Sequence, residues 1–246
     1  MTKVVRGVGA GEPEVSRRRE RAERILDAAA ALILRWGFQK TTLDDVSRQA
    51  GVAKGTMYLH WKTREELFRA LIGREKLAMA EDLRQRISAD PAGATLRGIL
   101  KYSALALMQR PLLKAVLMRD IDVLGKLAQG EQSRTAHVEK LMGFNVYLEL
   151  LRDYGLIRTD LSLRAQIYMF SAIFMGFFFV APLMPDEYTL SDEELADLMA
   201  ETVHRTLEAD RPVPADELQT ISQNFMHYLD LAVEKAQTQF QKEVES

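Results

Sequence analysis

The sequence predicts an all-α protein, and three observations lead there. Apolar residues recur at spacings of three and four along nearly the whole chain, and no convincing run alternates with period two. Helix-start signals recur: the S/T-x-x-E boxes at Thr63–Glu66 and Ser191–Glu194, and Asp90-Pro91, which sets a capping residue before a proline suited to a first helical turn. Only 14 Gly and 7 Pro occur in 246 residues, too few for a turn-rich all-β or collagen-like chain.

In chain order, residues 1–15 read as a flexible tail without the apolar stretch of a secretory signal. Ile25, Leu26, Ala29, Leu32, Ile33 and Trp36 share one helical face, which Gly37 ends. Thr42 caps a short helix carrying Leu43 and Val46, Gly51 breaks it, and a second short helix runs from about Lys54 to Trp61. The Thr63 box starts a long helix through Leu67, Leu71 and Leu77. Asp90-Pro91 starts the next, and Pro111 separates it from its successor. A long helical pattern from Ser133 to Tyr154 ends at Gly155, and Asp160 precedes an uncharged helix. After the Ser191 box, Arg211–Pro214 links to a final amphipathic helix from Ala215 to about Phe240.

Composition narrows the function. With no Cys, the chain has no disulfide framework, thiolate metal site or Cys nucleophile. Net charge is −2, but residues 1–72 hold 14 Lys/Arg against 9 Asp/Glu while the rest holds 19 against 26. A basic end on an acidic body is the asymmetry expected when one end meets phosphate. The 21 residues between Arg164 and Asp186 carry no charge, enough to span a bilayer by length. Gln166, Ser171 and Gly176 inside the run, and Pro182 and Pro185 near its end, favour a helix buried in a core or an interface.

The informative window runs from Thr41 to Leu67. Two short helices flank Gly51, with small Ser47 four residues before it and apolar Val52 just after. A helix-turn-helix needs this arrangement: a small residue for close helix approach, Gly for the tight turn, and an apolar plug. Met57 and Trp61, four apart, face inward together, which turns Tyr58, Leu59 and His60 outward. The segment "TTLDDVSRQAGVAKGTMYLHWKTREELF", with "RRERAERILDAAAALILRWGFQKTT" leading into it, resembles the DNA-binding domain of the TetR family of bacterial transcriptional regulators. The resemblance covers about residues 17–72 and rests on the Gly-Phe before the Thr pair, the A-G-V turn, K-G-T-x-Y and K-x-x-E-E-L. Ala53 stands where Ser is common, weakening a cap, and Trp61 where Phe is usual.

The resemblance implies an all-α homodimer. Residues 16–72 form a three-helix helix-turn-helix DNA-binding domain, and residues 73–246 a larger helical ligand-binding and dimerisation domain. It points to Thr42, Lys54, Gly55, Thr56, Tyr58, Leu59, His60 and Lys62 at the DNA. Thr42 is either a phosphate contact or a plain cap. Gly55 admits the DNA backbone, or merely accommodates structure. Lys54 and Thr56 reach base edges or backbone, Tyr58, His60 and Lys62 reach phosphate, and Leu59 a thymine methyl. Arg17, Arg18, Arg19 and Arg21 add electrostatic attraction or form a solvated helix face.

In the body, Tyr102, Met108, Met118, Phe144, Tyr147, Tyr168 and Phe174 are candidates to line an apolar ligand pocket, with plain core as the alternative. Phe174, Phe177, Phe178, Val180, Leu195, Leu198 and Val203 are candidates for the dimer interface. No H-E-x-x-H, G-x-S-x-G or Walker A motif occurs, and Gly7-x-Gly9-x-Gly11 lacks the third glycine of a dinucleotide loop. The four His are scattered, and His137 with Glu139 fits a solvated face better than a metal site. The expectation is a cytoplasmic repressor, not an enzyme, needing no cofactor. Its partners would be a palindromic double-stranded DNA operator, a second copy and a small apolar effector, with no membrane. The alternatives are a helical ligand-binding or interaction module that no longer binds DNA, and a single-span membrane protein.

Overall fold

The computed structural model describes residues 12–124 and 144–245. The glycines at 7, 9 and 11, the His137–Glu139 pair and the start of the helix expected from Ser133 lie outside these residues. The order is α1 (Glu12–Trp36), α2 (Leu43–Gln49), α3 (Lys54–His60), α4 (Arg64–Ala89), a 3-10 turn (Pro91–Ala94), α5 (Leu96–Met108), α6 (Pro111–Met118) and α7 (Ile121–Leu124). There follow α8 (144–153), α9 (Leu163–Val180), 3-10 turns at Ala181–Leu183 and Asp186–Tyr188, α10 (Asp192–Leu207) and α11 (Ala215–Glu245). Among the described residues the only extended pairing is an isolated bridge between Ile157 and Glu208.

Helix ends follow the signals in the chain. Thr42, Thr63 and Ser191 each close a capping box, with Asp45, Glu66 and Glu194 at the third helical position. Gly37, Gly51 and Gly155 take the left-handed backbone that ends a helix, with φ of 79°, 64° and 65°. Two boundaries differ from expectation. α1 begins at Glu12, inside the stretch read as tail, because Pro13 and two glutamates suit a first turn. Asp90-Pro91 opens only the 3-10 turn, and α5 has its own cap, the Thr95 hydroxyl accepting from the Gly98 amide.

α1 buries Ile25, Leu26, Ala29, Leu32 and Ile33, whereas Trp36 is 42% exposed at its end with Arg35 lying over the ring. α4 runs unbroken from this N-terminal group of helices into the body. Arg74 on α4 bonds Glu23 and Asp27 of α1 at 3.2 and 2.7 Å. Arg110 bonds the Asp82 carboxylate and the Ala78 carbonyl, fixing α4 at its other half. α10 packs on α5 through Ala196, Met199, Val203 and Leu207.

α11 packs along α4 and the 3-10 turn. Its stripe of Ile221, Phe225, Leu229 and Phe240 is buried at helical spacing. Phe225 lies 4.6 Å from the ring of Tyr147, whose hydroxyl donates to the Ala94 carbonyl, and Asp230 pairs with Arg84 farther back along α4. These contacts run α11 antiparallel to α4. Arg211 ties down its start by donating to the Tyr154 and Gly155 carbonyls and to Glu217. Phe225→Ala should therefore lower stability by about 3–5 kcal/mol in urea unfolding. Tyr228→Ala, on the exposed side of the same helix, should stay within about 0.5 kcal/mol of the parent.

Candidate nucleic-acid interface

The helix-turn-helix is assembled from few contacts. Ala50, Gly51 and Val52 make the turn, and the Val52 amide donates to the Ser47 carbonyl at 3.0 Å. Ser47 is buried where α2 and α3 approach, and its hydroxyl is turned back on the Asp44 carbonyl at 2.9 Å. α3 has no side-chain cap at Ala53, so its N-terminus is held by the turn and by packing. That packing is Met57 and Trp61, both fully buried. The opposite side of α3 is thereby presented to solvent: Tyr58 is 43% and Leu59 72% exposed. Lys54 and Gly55 are exposed and Thr56 is half-buried. A Cβ added at Gly55 would meet nothing within 4 Å. Internal packing does not require glycine there.

His60 departs from its expected role, and Thr42 fills one of the two given to it. His60 is only 7% exposed, 5.4 Å from the Trp61 ring, with Nδ1 lacking a hydrogen-bond partner among the described residues. It follows Met57 by three, so the roll that buries Met57 carries it inward instead of toward phosphate. Burial, then the charges of Arg18 and Arg21, hold its imidazole below the ordinary histidine pKa. Thr42 is exposed, but its hydroxyl accepts from the Asp45 amide at 3.1 Å and donates to the Asp45 carboxylate at 2.6 Å. The plain cap is the role its hydroxyl fills.

The cations are unequally occupied. Lys54 Nζ lies 2.6 Å from Asp44 Oδ2, and Arg48 pairs with Asp45 at 3.1 Å. Lys62 is exposed, its amide donates to Glu66, and its ammonium enters no ion pair among the described residues. Arg64 was not anticipated in any role. Its guanidinium donates to the carbonyls of Phe38, Gln39 and Thr41 at 3.3, 3.0 and 3.2 Å and lies over the Phe38 ring. An arginine at the first position of a helix opposes the helix dipole. That misplacement was the available sign of work elsewhere. The Phe38 amide in turn donates to the Val123 carbonyl of α7 at 2.7 Å, joining this unit to the body.

The other candidate residues sort by burial. Tyr102 packs its ring over Gly93 and donates to Asp90 at 2.6 Å; burial and that carboxylate push its pKa up to about 12. Tyr147 is committed to Ala94 and Phe225, and burial raises its pKa as well. Both serve the fold. Tyr168, expected in a pocket, is 78% exposed, because the α9 face that packs inward carries Gln166, Phe170 and Phe174. Met108, Met118, Phe144 and Phe174 are half-buried against the core, with Phe144 and Phe170 rings 4.3 Å apart. Of the interface candidates, Phe178 and Val203 lie in the chain's own core, the first beneath Lys114 and the second against α5. Phe174, Phe177 and Leu195 are half-buried, while Val180 and Leu198 are exposed.

Fold and site together define an all-helical protein with an N-terminal helix-turn-helix and a larger helical body. The model for bacterial regulatory proteins of the tetR family matches residues 25–71. Similar chains include the fatty acid metabolism regulator protein of Bacillus subtilis, 32% identical over 79 residues, 30% of this chain and 41% of that one. The HTH-type transcriptional repressor KstR of Mycolicibacterium smegmatis is 32% identical over 133 residues, 50% of this chain and 60% of that one. The alignments thus span less than two thirds of either relative. A triclosan complex of SmeT, a Stenotrophomonas maltophilia repressor, shares the fold, with a TM-score of 0.61 at 21% identity over 79% of this chain and 99% of that one. Residues 25–71 are thus similar to the bacterial regulatory proteins of the tetR family, and the two curated relatives carry the names of regulators.

The buried, neutral His60 carries a pH dependence. The fold accepts the uncharged imidazole, so nothing is lost well above pH 6.5, the usual histidine value. As pH falls through that value the unfolded chain takes up a proton that the folded one resists, and stability drops. His60→Gln should lose less thermal stability than the parent when the pH goes from 7.5 to 5.5 in circular-dichroism melts.

Proposed function

We propose that this protein is a cytoplasmic DNA-binding transcriptional regulator, a repressor that grips a palindromic operator as a homodimer and lets go when a small apolar molecule occupies its body. The observation that carries this reading is α3. One face is locked inward by Met57 and Trp61, and the other offers Gly55, Tyr58 and Leu59 to solvent. Lys54 and Thr56 at its start reach base edges or backbone. Leu59 meets a thymine methyl, Tyr58 and Lys62 bind phosphate, and Gly55 admits the backbone. The arginines from Arg17 to Arg21 add sequence-independent attraction.

Dimerisation is supported by what one chain leaves uncovered. Tyr168, Phe179, Val180, Leu183, Met184, Tyr188, Leu190 and Leu198 form an exposed apolar set on α9, the turns after it and α10, with Leu183 76% exposed. A soluble chain rarely leaves such a surface bare. A two-fold pair covers it with itself and sets two reading helices about 34 Å, or a multiple of one DNA turn, apart. The pocket would lie among Met108, Met118, Phe144 and Phe174. The bond from the Phe38 amide to α7 gives the body a direct handle on the α1–α2 loop.

Selection of bound duplexes from a random pool tests the reading. A two-fold symmetric consensus is expected, and failure to enrich any sequence overturns it. Lys62→Ala should weaken binding to all duplexes alike and flatten the dependence of log K on log salt by about 0.9. Val180→Asp with Leu198→Asp should turn a dimer into a monomer in detergent-free sedimentation. A chain that needs detergent to stay in solution would favour a membrane role for α9, which is long and apolar enough to span one.

A further inference from the structure

The face that meets DNA in this reading carries two carboxylates, Asp44 and Asp45, in the first turn of α2. Asp45 has a structural task, since it closes the capping box with Thr42 and pairs with Arg48. Asp44 suits the dipole of the same first turn but closes no cap. Its carboxylate is half-exposed, and its partner among the described residues is the Lys54 ammonium, 2.6 Å away on the next helix. An acidic side chain beside a phosphate lowers affinity for every duplex, so its presence there asks for a return. The return lies in the geometry of the ammonium. Lysine has three rotating N–H donors and, left free, behaves as a point charge that follows the nearest phosphate. One donor held by Asp44 ties Nζ to α2, sets a negative charge beside it, and leaves the ammonium two further donors for an outside acceptor. The adjacent carboxylate also holds the Lys54 ammonium above its ordinary pKa.

Resting on the DNA-binding reading above, we infer that Asp44 is a specificity-determining residue: it pins Lys54 as a reader of a base-edge acceptor and withholds it from service as a phosphate clamp. Phosphate neutralisation supplies sequence-independent affinity and its salt dependence, whereas base contacts supply discrimination. A pinned Lys54 therefore adds to the second without adding to the first. Asp44 suppresses binding to the many wrong sites by placing an unfavourable group against them.

The experiment is a salt titration of fluorescence anisotropy with the full chain, on the pool-selected duplex and on a scrambled duplex of equal length. Asp44→Asn should tighten scrambled-duplex binding about threefold at low salt and steepen its log K against log salt slope by about 0.9, as one more phosphate is neutralised. The preference for the selected duplex should fall. Asp44→Glu keeps the charge and should keep the parent slope, which separates the carboxylate from any general disturbance of α2. Lys54→Gln in the parent should weaken the selected duplex roughly tenfold yet leave the scrambled slope unchanged. In the Asp44→Asn background the same change should return the slope to the parent value. An unchanged scrambled slope in Asp44→Asn overturns the inference, as does an equal flattening by Lys54→Gln in both backgrounds. If the parent binds no duplex at all, the DNA-binding reading falls and this inference with it. If the parent binds and only the Asp44 variants behave alike, this inference alone falls.

Discussion

The orientation of a seven-residue helix depends on two buried side chains. α3 is too short to be stable by itself and lacks a side-chain cap at Ala53. What holds it is the burial of Met57 and Trp61, one turn apart. A slip of one residue would rotate the helix by about 100°, bring Tyr58 into the core and expose Trp61. The protein accepts a cost to prevent this. Trp61 Nε1 is buried without a partner among the described residues, a loss of about 1–3 kcal/mol. The apolar area of the indole, worth about 25 cal/mol per Å² removed from water, offsets it. The outward face of Gly55, Tyr58 and Leu59 follows from that roll.

A fixed roll is useful only if the helix is also fixed to the rest of the molecule. Four devices do this at different points. α4 passes without a break between the N-terminal helices and the body, so bending there would break helical hydrogen bonds. Arg64 gathers the carbonyls of the α1–α2 loop, and Arg74 ties α1 to α4 through two carboxylates. The Phe38 amide then reaches α7. Since packed elements shift between discrete arrangements and do not flex continuously, a displacement of α7 would move the α1–α2 loop and the α2–α3 unit behind it.

Much of this was legible in the chain because it rests on local rules. The cap at Thr42, the capping boxes at Thr63 and Ser191, the glycines that take positive φ, and the Met57–Trp61 pair each follow from neighbours within four residues. What was not legible depends on residues far apart in sequence. His60 was expected to face out because its neighbours do, but the buried side of α3 takes in His60 as well as Met57, which is wider than one turn of apolar residues suggests. Phe178 and Val203 are as apolar as Val180 and Leu198, and composition cannot tell which face of α9 or α10 meets α6 or α5. Arg64 and Asp44 act on partners 23 to 26 and 10 residues away, so their roles appear only once the chain has folded.

The two ends of the molecule pose opposite solvation problems, and the sequence keeps them apart. The N-terminal helices expose cations and a short polar-aromatic face, which water solvates well. α9 and its flanking turns expose tyrosines, leucines and a phenylalanine, which water does not. Buried apolar residues on α9 face its own chain only along one side; Gln166 is held there by Arg152 and the Arg158 carbonyl, a polar clasp that sets how α9 lies on α8. That clasp fixes which side of α9 is turned out, as Met57 and Trp61 fix which side of α3 is turned out. A symmetric partner seated on the outer side of α9 would then be related to this chain by an axis whose direction the clasp determines. The distance between two copies of α3 would follow from it through the rigid path of α4. In such a pair, whatever disturbs the packing of α9 would reach the spacing of the two α3 helices without touching them.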